Sequence, residues 1–526
     1  MRPIKTTILL VCAVLLDLGI WYLWLPPMNL SSPSMWFFFI VAIGIVAGAL
    51  CIAGYDDEVY LPAGIAGIIA GICALVLIII PCFSGALFNS KLYSSLLEVE
   101  NTTFETEFTN VDWDTVPQID SASSEILGAR KMGTLVEEIS QYNVSSTYTL
   151  INQNGKPIRV APLIYAGLVK YWGNNDKGIP GYITVDCVEK TSEFVRLEKG
   201  IQYSPSAYFS KDLKRHLRAL YPSTFFDEFS FEIDDSGASY WVVPTYKYRA
   251  GIGGAKVSNG CILCDPVTGK STFYSLDDIP EWIDHAIDDD TATSLINWWG
   301  KYQGGWWNSW MGQKNVRQAT EGCSFVTIGN DVYLYTGITS VAMDESNIGF
   351  ILVNQRTAKA KYFEMPSAEE YSAMDSAKGQ VQHLAYSSTF PILINLEGTP
   401  TYFLSLKDDA GLVKMYALVS VENIQQLVVT DATLGIEHLV SEYTKLLKPT
   451  EKPVVETKTA TFTITSIQTA VLNGNTQYYF TDSKGNVYMT DISKSIKLPV
   501  LTINSEITVN YTETNIPGYF NVSSIE

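Results

Sequence analysis

The sequence predicts an α-helical membrane anchor of three transmembrane helices, then an α+β ectodomain of repeated β-β-β-α units, then a small C-terminal all-β barrel. Three observations predict it. Three apolar runs open the chain, a glycine-led strand pattern recurs after them, and the last stretch alternates in short strands with no helical period. The expected divisions are 1–85 for the anchor, 86–445 for the repeats, 446–458 for a linker and 459–526 for the barrel.

The apolar runs cover 6–25, 35–54 and 61–80, each close to the roughly 20 residues that cross a bilayer as a helix. Trp21, Tyr22 and Trp24 followed by Pro26 and Pro27 read as an interfacial belt and a helix stop. No small-residue cleavage site follows the first run, so that helix is expected to be retained. Arg2 and Lys5 precede it, the 26–34 loop carries no charge, and the second loop offers only Asp56, Asp57 and Glu58. The positive-inside rule then puts the amino terminus in the cytoplasm and everything from about residue 83 outside.

Gly44 with Gly48 and Gly67 with Gly71 form small-xxx-small pairs that predict a closely packed bundle, or equally the ordinary small-residue content of such helices. Asp17 lies mid-span, where a charge costs at least about 2.5 kcal/mol. It is expected to face other helices and hydrogen-bond there or stay protonated, with coupling to an ion or partner as the sharper alternative.

Beyond the membrane, "GKPIRVAP" (155–162), "GASYWVVP" (237–244), "GNDVYLYT" (329–336) and "GTPTYFLS" (398–405) each read as glycine, turn and alternating strand. A second block follows the first three, starting at Gly181, Gly260 and Gly349. It has Asp or Asn sixth (Asp186, Asp265, Asn354), an aromatic fourteenth and Leu or Met last, and a degraded copy starts at "ALVSVE" (417–422). One unit then reads as strand, connection, strand, polar turn, strand and helix. The helix is expected in "SLDDIPEWIDHAI", capped by Ser275, with Asp277, Asp278 and Pro280 in its first turn.

The strand, Asp-containing turn and strand of "GCILCDPVTGKSTFYSL" resemble PepSY-type modules found outside the membrane in bacteria, over roughly 45 residues per unit. More broadly, "IGFILVNQRTAKAKYFEMPSAEEYSAM" and "PTYFLSLKDDAGLVKMYALVSV" look like a largely uncharacterised family of multi-span membrane proteins of Gram-positive bacteria, sometimes labelled colicin V production proteins. That resemblance implies a multi-span anchor and a large ectodomain. It carries no reaction and no site residues.

The prolines and charges of "LLKPTEKPVVETK" suit a linker, and the strands after it suggest a five-stranded, OB-like barrel. The barrel has few Lys or Arg. The whole chain of 526 residues carries a formal charge of −19 with scattered basic residues, which removes the electrostatic footprint of a nucleic-acid binder.

Catalytic signatures are missing from the sequence. His216, His285, His383 and His438 lack metal-ligand spacing on one helix, and the zinc-protease, nucleophile-elbow, P-loop and dinucleotide patterns are absent. Cys261 and Cys264 have redox spacing but sit in an expected strand, where positions three apart face opposite ways, so they read as core residues in place of apolar ones. A disulfide among Cys187, Cys261, Cys264 and Cys323 stays open in an oxidising exterior. Glu232, Asp234 and Asp235 read first as turn chemistry before Gly237, with a glycosidase-like pair as the sharper alternative. No cofactor or metal is expected.

The segment "NWWGKYQGGWWNSWMG" (297–312) supplies the candidate ligand or partner surface: Trp298, Trp299, Trp306, Trp307 and Trp310. Adjacent tryptophans on a helix diverge by about 100°, so they cannot all share one core-facing stripe. Packing between repeats, a ligand surface and contact with the bilayer are the three readings. The functional expectation is a non-enzymatic, membrane-anchored extracytoplasmic scaffold or binding protein of the cell envelope. A regulator or inhibitor of an extracytoplasmic peptidase, from the PepSY resemblance, and a cell-wall hydrolase using paired carboxylates are the alternatives. Expected partners are the lipid bilayer, an envelope protein or cell-wall polymer, and a second copy of the chain.

Overall fold

The structure, a computed structural model, describes residues 2–53, 57–341, 343–447, 457–472, 475–495, 497–514 and 516–525. Asp56 and most of the expected 446–458 linker lie outside the described residues, as do the side chains of Asp57 and Glu58. The chain divides into two compact units, Met1–Tyr443 and Thr444–Glu526.

Helices α1 (Arg2–Trp24), α2 (Pro33–Ala53) and α3 (Asp57–Ser84) match the three apolar runs and are each long and apolar enough to cross a membrane. Helix α2 packs against both α1 and α3. The glycine pairs do not form these seams. A Cβ built on Gly44, Gly48, Gly67 or Gly71 meets no atom within 4 Å. The enclosed hydrophobic residues are instead Ala13, Met35, Phe38 and Ala63, and the four paired glycines are left on outer faces.

The 25–33 loop and the end of α3 meet the same part of the globular region. Met28 N–H donates to Pro222 O at 2.8 Å, Gly253 N–H to Ser31 O at 3.4 Å, and Asn29 Nδ2 to Ser223 O at 3.1 Å. The bilayer ends of all three helices adjoining the globular region therefore share one side. Helix α4 (Ala86–Ser94) leads away from α3, and Tyr93 at its far end returns a hydroxyl to Ser84 O.

After β1 (Val99–Asn101) come four five-stranded sheets. Sheet one holds β2 (Tyr142–Val144), β3 (Thr149–Gln153), β4 (Lys156–Tyr165), β5 (Ile179–Asp186) and β6 (Ser192–Ile201). Sheet two holds β7 (Phe225–Phe226), β8 (Ser230–Ile233), β9 (Ser239–Arg249), β10 (Ala255–Cys264) and β11 (Ser271–Ser275). Sheet three holds β12 (Arg317–Ala319), β13 (Ser324–Ile328), β14 (Asp331–Ser340), β15 (Met343–Asn354) and β16 (Ala360–Ala368). Sheet four holds β17 (Ser387–Ser388), β18 (Ile392–Leu396), β19 (Thr399–Lys407), β20 (Val413–Ser420) and β21 (Leu427–Asp431).

All four share one order. Two short strands pair end to end along one edge of a long third strand, and the fourth and fifth follow antiparallel on its other side. Sheet three adds β1 parallel to β16. The two short strands were not legible in the expected three-strand unit, because they are brief and unequal in pattern.

Local chemistry explains the recurrence. Asn154–Gly155 and Glu397–Gly398 both have positive φ between directly paired strands, the backbone of a type I′ hairpin. Gly181, Gly260 and Gly349 each sit at a β-bulge. A Cβ there would lie 2.1, 2.0 and 2.4 Å from the carbonyl oxygens of Val195, Tyr274 and Phe363. Only glycine permits that approach. Sheet four carries Met415 at this place, and its pairing with β19 shifts register there too, Met415 opposite Leu406 and Val413 opposite Lys407. At the following turn, Asp186 Oδ1 accepts from the amides of Val188 and Glu189, Asp265 Oδ1 from Val267 and Thr268, and Asn354 Oδ1 from Arg356 and Thr357, all within 2.8–3.1 Å. A short side-chain oxygen at the sixth position thus closes the same Asx turn three times.

The remaining helices are α5 (Phe104–Glu107), α6 (Ser121–Gly133), α7 (Leu168–Asn174), α8 (Leu213–Leu220), α9 (Asp289–Tyr302), α10 (Glu370–Gln380) and α11 (Ile436–Leu447). Asp120, Asp212 and Asp288 cap α6, α8 and α9 by accepting an amide three residues on, each cap contributing about 1 kcal/mol. The helix expected to start at Ser275 does not form. Ser275 Oγ bonds Asp278 Oδ2 in a turn, and the chain stays irregular to Asp288 while Ile279, Ile283 and Ala286 are buried with Val242 and Cys261. Pro280 withholds a helical donor, and Asp284 and His285 engage Glu232 through their amides instead. Helix α6 packs on sheet one and α10 on sheet four, each the sheet that follows it in the chain.

Sheets one and two share a core, as do sheets three and four, while α9 covers the other face of sheet three. The run Phe350–Val353 shows how: Phe350 and Leu352 enter one core, Ile351 and Val353 the other. Cys261 and Cys264 likewise enter separate clusters, each with a free thiol that burial pushes up, to about 12 and about 11. Cys187 and Cys323 are also free.

The terminal unit is a six-stranded sheet of β22 (Lys458–Thr463), β23 (Ser466–Leu472), β24 (Asn475–Thr481), β25 (Val487–Asp491), β26 (Glu506–Glu513) and β27 (Tyr519–Ile525). Its order is β22-β26-β27-β25-β24-β23, with β25 and β27 parallel. Six strands stand where five were expected, because the first breaks at Ile464 and Thr465. Ile464 is fully buried with Phe480, Val509 and Leu498.

Gly349→Ala is expected to lower stability by about 1–3 kcal/mol through the clash with Phe363 O. Gly379→Ala, on α10 where a Cβ meets nothing within 4 Å, is expected to gain up to about 1 kcal/mol. Denaturant titration of both variants checks the bulge; equal effects would refute it.

Candidate functional site

The tryptophan segment resolves into three environments. Trp298 packs edge-on against Tyr93 of α4, ring centroids 4.9 Å apart, and Tyr302 reaches the same ring at 6.3 Å. Trp299, one residue on and facing sheet three, is 8% exposed and packs against Tyr362 at 5.4 Å. Gly305 at φ +85° then breaks the helix. Trp306, Trp307 and Trp310 form a self-contained cluster with centroids 5.0–6.1 Å apart. Asn308 pins it by bonding Lys314 through both its side-chain atoms. Trp307 and Trp310 remain 64% and 63% exposed. Packing thus accounts for Trp298 and Trp299, and the second group faces outward.

Trp299 also borders the largest concavity described, a groove of about 900 Å³. Its walls come from β1 and the segment after it (Asn101, Thr102, Thr103, Glu105), the end of α9 (Trp299, Gln303), sheet three (Arg317, Tyr362, Glu364) and the edge of sheet four (Gly398, Pro400, Glu422). Arg317 crosses the sheet from β12, its guanidinium 5.0 Å from the Tyr362 ring centroid and 6.0 Å from that of Trp299, with Glu364 at 3.4 Å. Such stacking contributes about 0.5–1 kcal/mol where water reaches it. It also holds the guanidinium flat, leaving edge donors to a ligand. Only Trp299 of this set was legible as a candidate. The rest lie far apart in the chain and carry no shared spacing, although Arg317 is conspicuous as a basic residue in an acidic protein.

Asp17 faces partly inward, but its Oδ1 is enclosed without a hydrogen bond, as is Trp21 Nε1 one turn on.

The suspected acids divide between turn and core. Asp234 Oδ1 accepts the amides of Ser236 and Ala238 and caps the hairpin before Gly237. Glu232 is fully enclosed and accepts from the amides of Asp284 and His285 and from Ser230 Oγ. Asp284 in turn accepts the Asn152 amide at 2.7 Å, and His285 Nε2 meets Leu150 O at 2.6 Å, so this buried cluster joins sheet two to sheet one. Burial raises both carboxyls and lowers the His285 imidazole. Among the described residues, no three His, Cys, Asp or Glu side chains form a metal site.

Comparison with family models finds no match, and comparison with curated proteins finds none.

Trp299→Ala is expected to cost about 3–5 kcal/mol, while Trp307→Ala and Trp310→Ala leave the melting temperature nearly unchanged. Thermal unfolding of the three variants separates the groups. A carboxyl whose folded pKa lies above its unfolded value stabilises below the unfolded pKa and loses that contribution as pH rises through the folded one. Glu232 and Asp284 are of this kind, so stability is expected to fall between about pH 5 and about pH 8, less steeply in Glu232→Gln. A wild-type stability that rises over that window would contradict the burial of these acids.

Proposed function

We propose that this protein is a non-enzymatic binding module of the cell envelope, held in the membrane by α1–α3, with its repeats outside and its groove occupied by a cell-wall glycopeptide polymer. The observation that carries the reading is the groove itself. Hydroxyls of Thr102 and Thr103, amides of Asn101 and Gln303, carboxylates of Glu105, Glu364 and Glu422 and one stacked guanidinium suit a hydrated, amide-rich chain. A reactive constellation is not needed for that role. The carboxylates first suspected of hydrolysis serve turn and core positions, which favours binding over hydrolysis.

The outside placement rests on Arg2 and Lys5 at the start of α1 and the uncharged 26–34 loop. The reading of the sheets as PepSY-like units rests on their shared order and Asx turn. An OB-like closure of the terminal sheet is supported by β22 and β23, which lie two residues apart in the chain yet at opposite ends of the strand order, as halves of one bent strand would.

Full-length protein in detergent is expected to bind soluble peptidoglycan fragments. Arg317→Ala and Glu422→Ala should weaken that binding about tenfold with little change in melting temperature. Binding unaffected by both substitutions would retire the groove, and turnover of the fragments would overturn the non-enzymatic reading. Protease added to intact protoplasts should remove the globular region; full protection would reverse the orientation.

A further inference from the structure

A cavity of about 310 Å³ lies where the anchor meets sheet two, between the end of α1 (Trp24, Leu25, Pro26), the start of α2 (Ser32, Pro33, Ser34), Lys214 and Arg218 of α8, and Tyr246 and Tyr248 of β9. Its level is that of the bilayer surface, because Trp24 and Pro33 are the terminal residues of two bilayer-length helices on this side. Three features give it the chemistry of an anion site. First, Arg218 is 3% exposed and takes part in no ion pair among the described residues. Its Nε donates to Leu25 O and its Nη1 to the carbonyls of Tyr221, Pro222 and Thr224. Among the described residues Nη2 makes no protein hydrogen bond, so this buried cation, stacked 4.3 Å from the Phe226 ring centroid in the cavity wall, keeps one edge without a protein acceptor. Burial draws this guanidinium down to about 10, which still leaves it charged at neutral pH.

Second, the 21-residue helix α2 starts at the cavity and brings the positive end of its dipole there; Pro33 has no N–H and Ser32 holds the amides of Met35 and Trp36, which leaves the Ser34 amide as the first-turn donor. Third, Lys214 is exposed at the rim, and no carboxylate is among the lining residues of this otherwise acidic protein. Arg215 beside it is already engaged, stacked 4.2 Å from the Tyr22 ring centroid and donating to Phe209 O.

We propose that this cavity binds the phosphate of an anionic phospholipid, with Arg218 Nη2, the Ser34 amide at the start of α2 and Lys214 as donors and the acyl chains lying along α1 and α2. A membrane lipid is chosen over a soluble phosphate because Trp24 in the cavity wall is itself exposed and adjoins Leu23 and Phe37, exposed apolar residues of α1 and α2. The proposal is independent of the groove and of the ligand assigned there.

The test uses full-length protein in neutral detergent, with native mass spectrometry counting retained lipids and a melting curve on the same samples. Phosphatidylglycerol is expected to be retained and to raise the melting temperature, phosphatidylcholine far less, and inorganic phosphate not at all. Because Arg218→Gln also removes bonds to four carbonyls, Lys214→Ala is the deciding variant. It should keep the unliganded melting temperature and bind phosphatidylglycerol about fivefold more weakly, and Lys214→Glu more weakly still. Equal retention of both lipids, stabilisation by phosphate alone, or unchanged binding in Lys214→Glu would each overturn the proposal.

Discussion

The guanidinium of Arg218 joins a membrane anchor to a soluble-type fold. It gathers a carbonyl from the loop between α1 and α2 and three from the segment leading into sheet two. Without it, the carbonyls of Leu25 and Thr224 would lose their donor while those of Tyr221 and Pro222 would keep a backbone amide each, and an unsatisfied buried polar group costs about 1–3 kcal/mol. The neighbouring backbone bonds from Met28 and Gly253 depend on the same alignment. Since sheet two shares its core with sheet one, the attachment made at one arginine is carried through packed side chains to the first half of the globular region.

Within that region, function is separated from stability residue by residue. Trp298 and Trp299 are neighbours in sequence, yet one secures α9 to α4 and the other borders a groove. Glu232 and Asp284 bring carboxyl groups into the interior where backbone amides can hold them, and they link the second sheet to the first. The groove collects polar groups from five separate stretches of chain. Such a division allows the wall of the groove to change without disturbing the cores behind it.

What the sequence disclosed follows from range. Membrane helices and glycine-led hairpins are local, since their length, period and turn chemistry are written within about 20 residues, and both were legible. The bulge glycines Gly181, Gly260 and Gly349 were visible as a repeat, although the carbonyls they accommodate were not. The helix expected after Ser275 failed because Ile279, Ile283 and Ala286 are buried from an irregular chain held by Glu232, a partner in a different segment. Arg317, Tyr362 and Glu422 meet Trp299 only through the docking of sheets three and four. The short edge strands, two or three residues each at β2, β7, β12 and β17, exist because a long neighbour supplies their partners, and no period marks them.

Four similar sheets in one chain face a hazard at the folding stage, since a strand can pair with its counterpart in a neighbouring copy. The interrupted edge bears on this directly. Two short strands set end to end offer no long, flat run of free amides for a stray strand to extend, and the bulge fixes one alignment of the central pair. The connections between the third and fourth strands also differ in length, with α7 in the first sheet, a glycine-rich loop in the second and only two residues in the third. A strand exchanged between copies would therefore arrive with a connection of the wrong length. The duplicated architecture thereby carries its own safeguard against self-entanglement during synthesis.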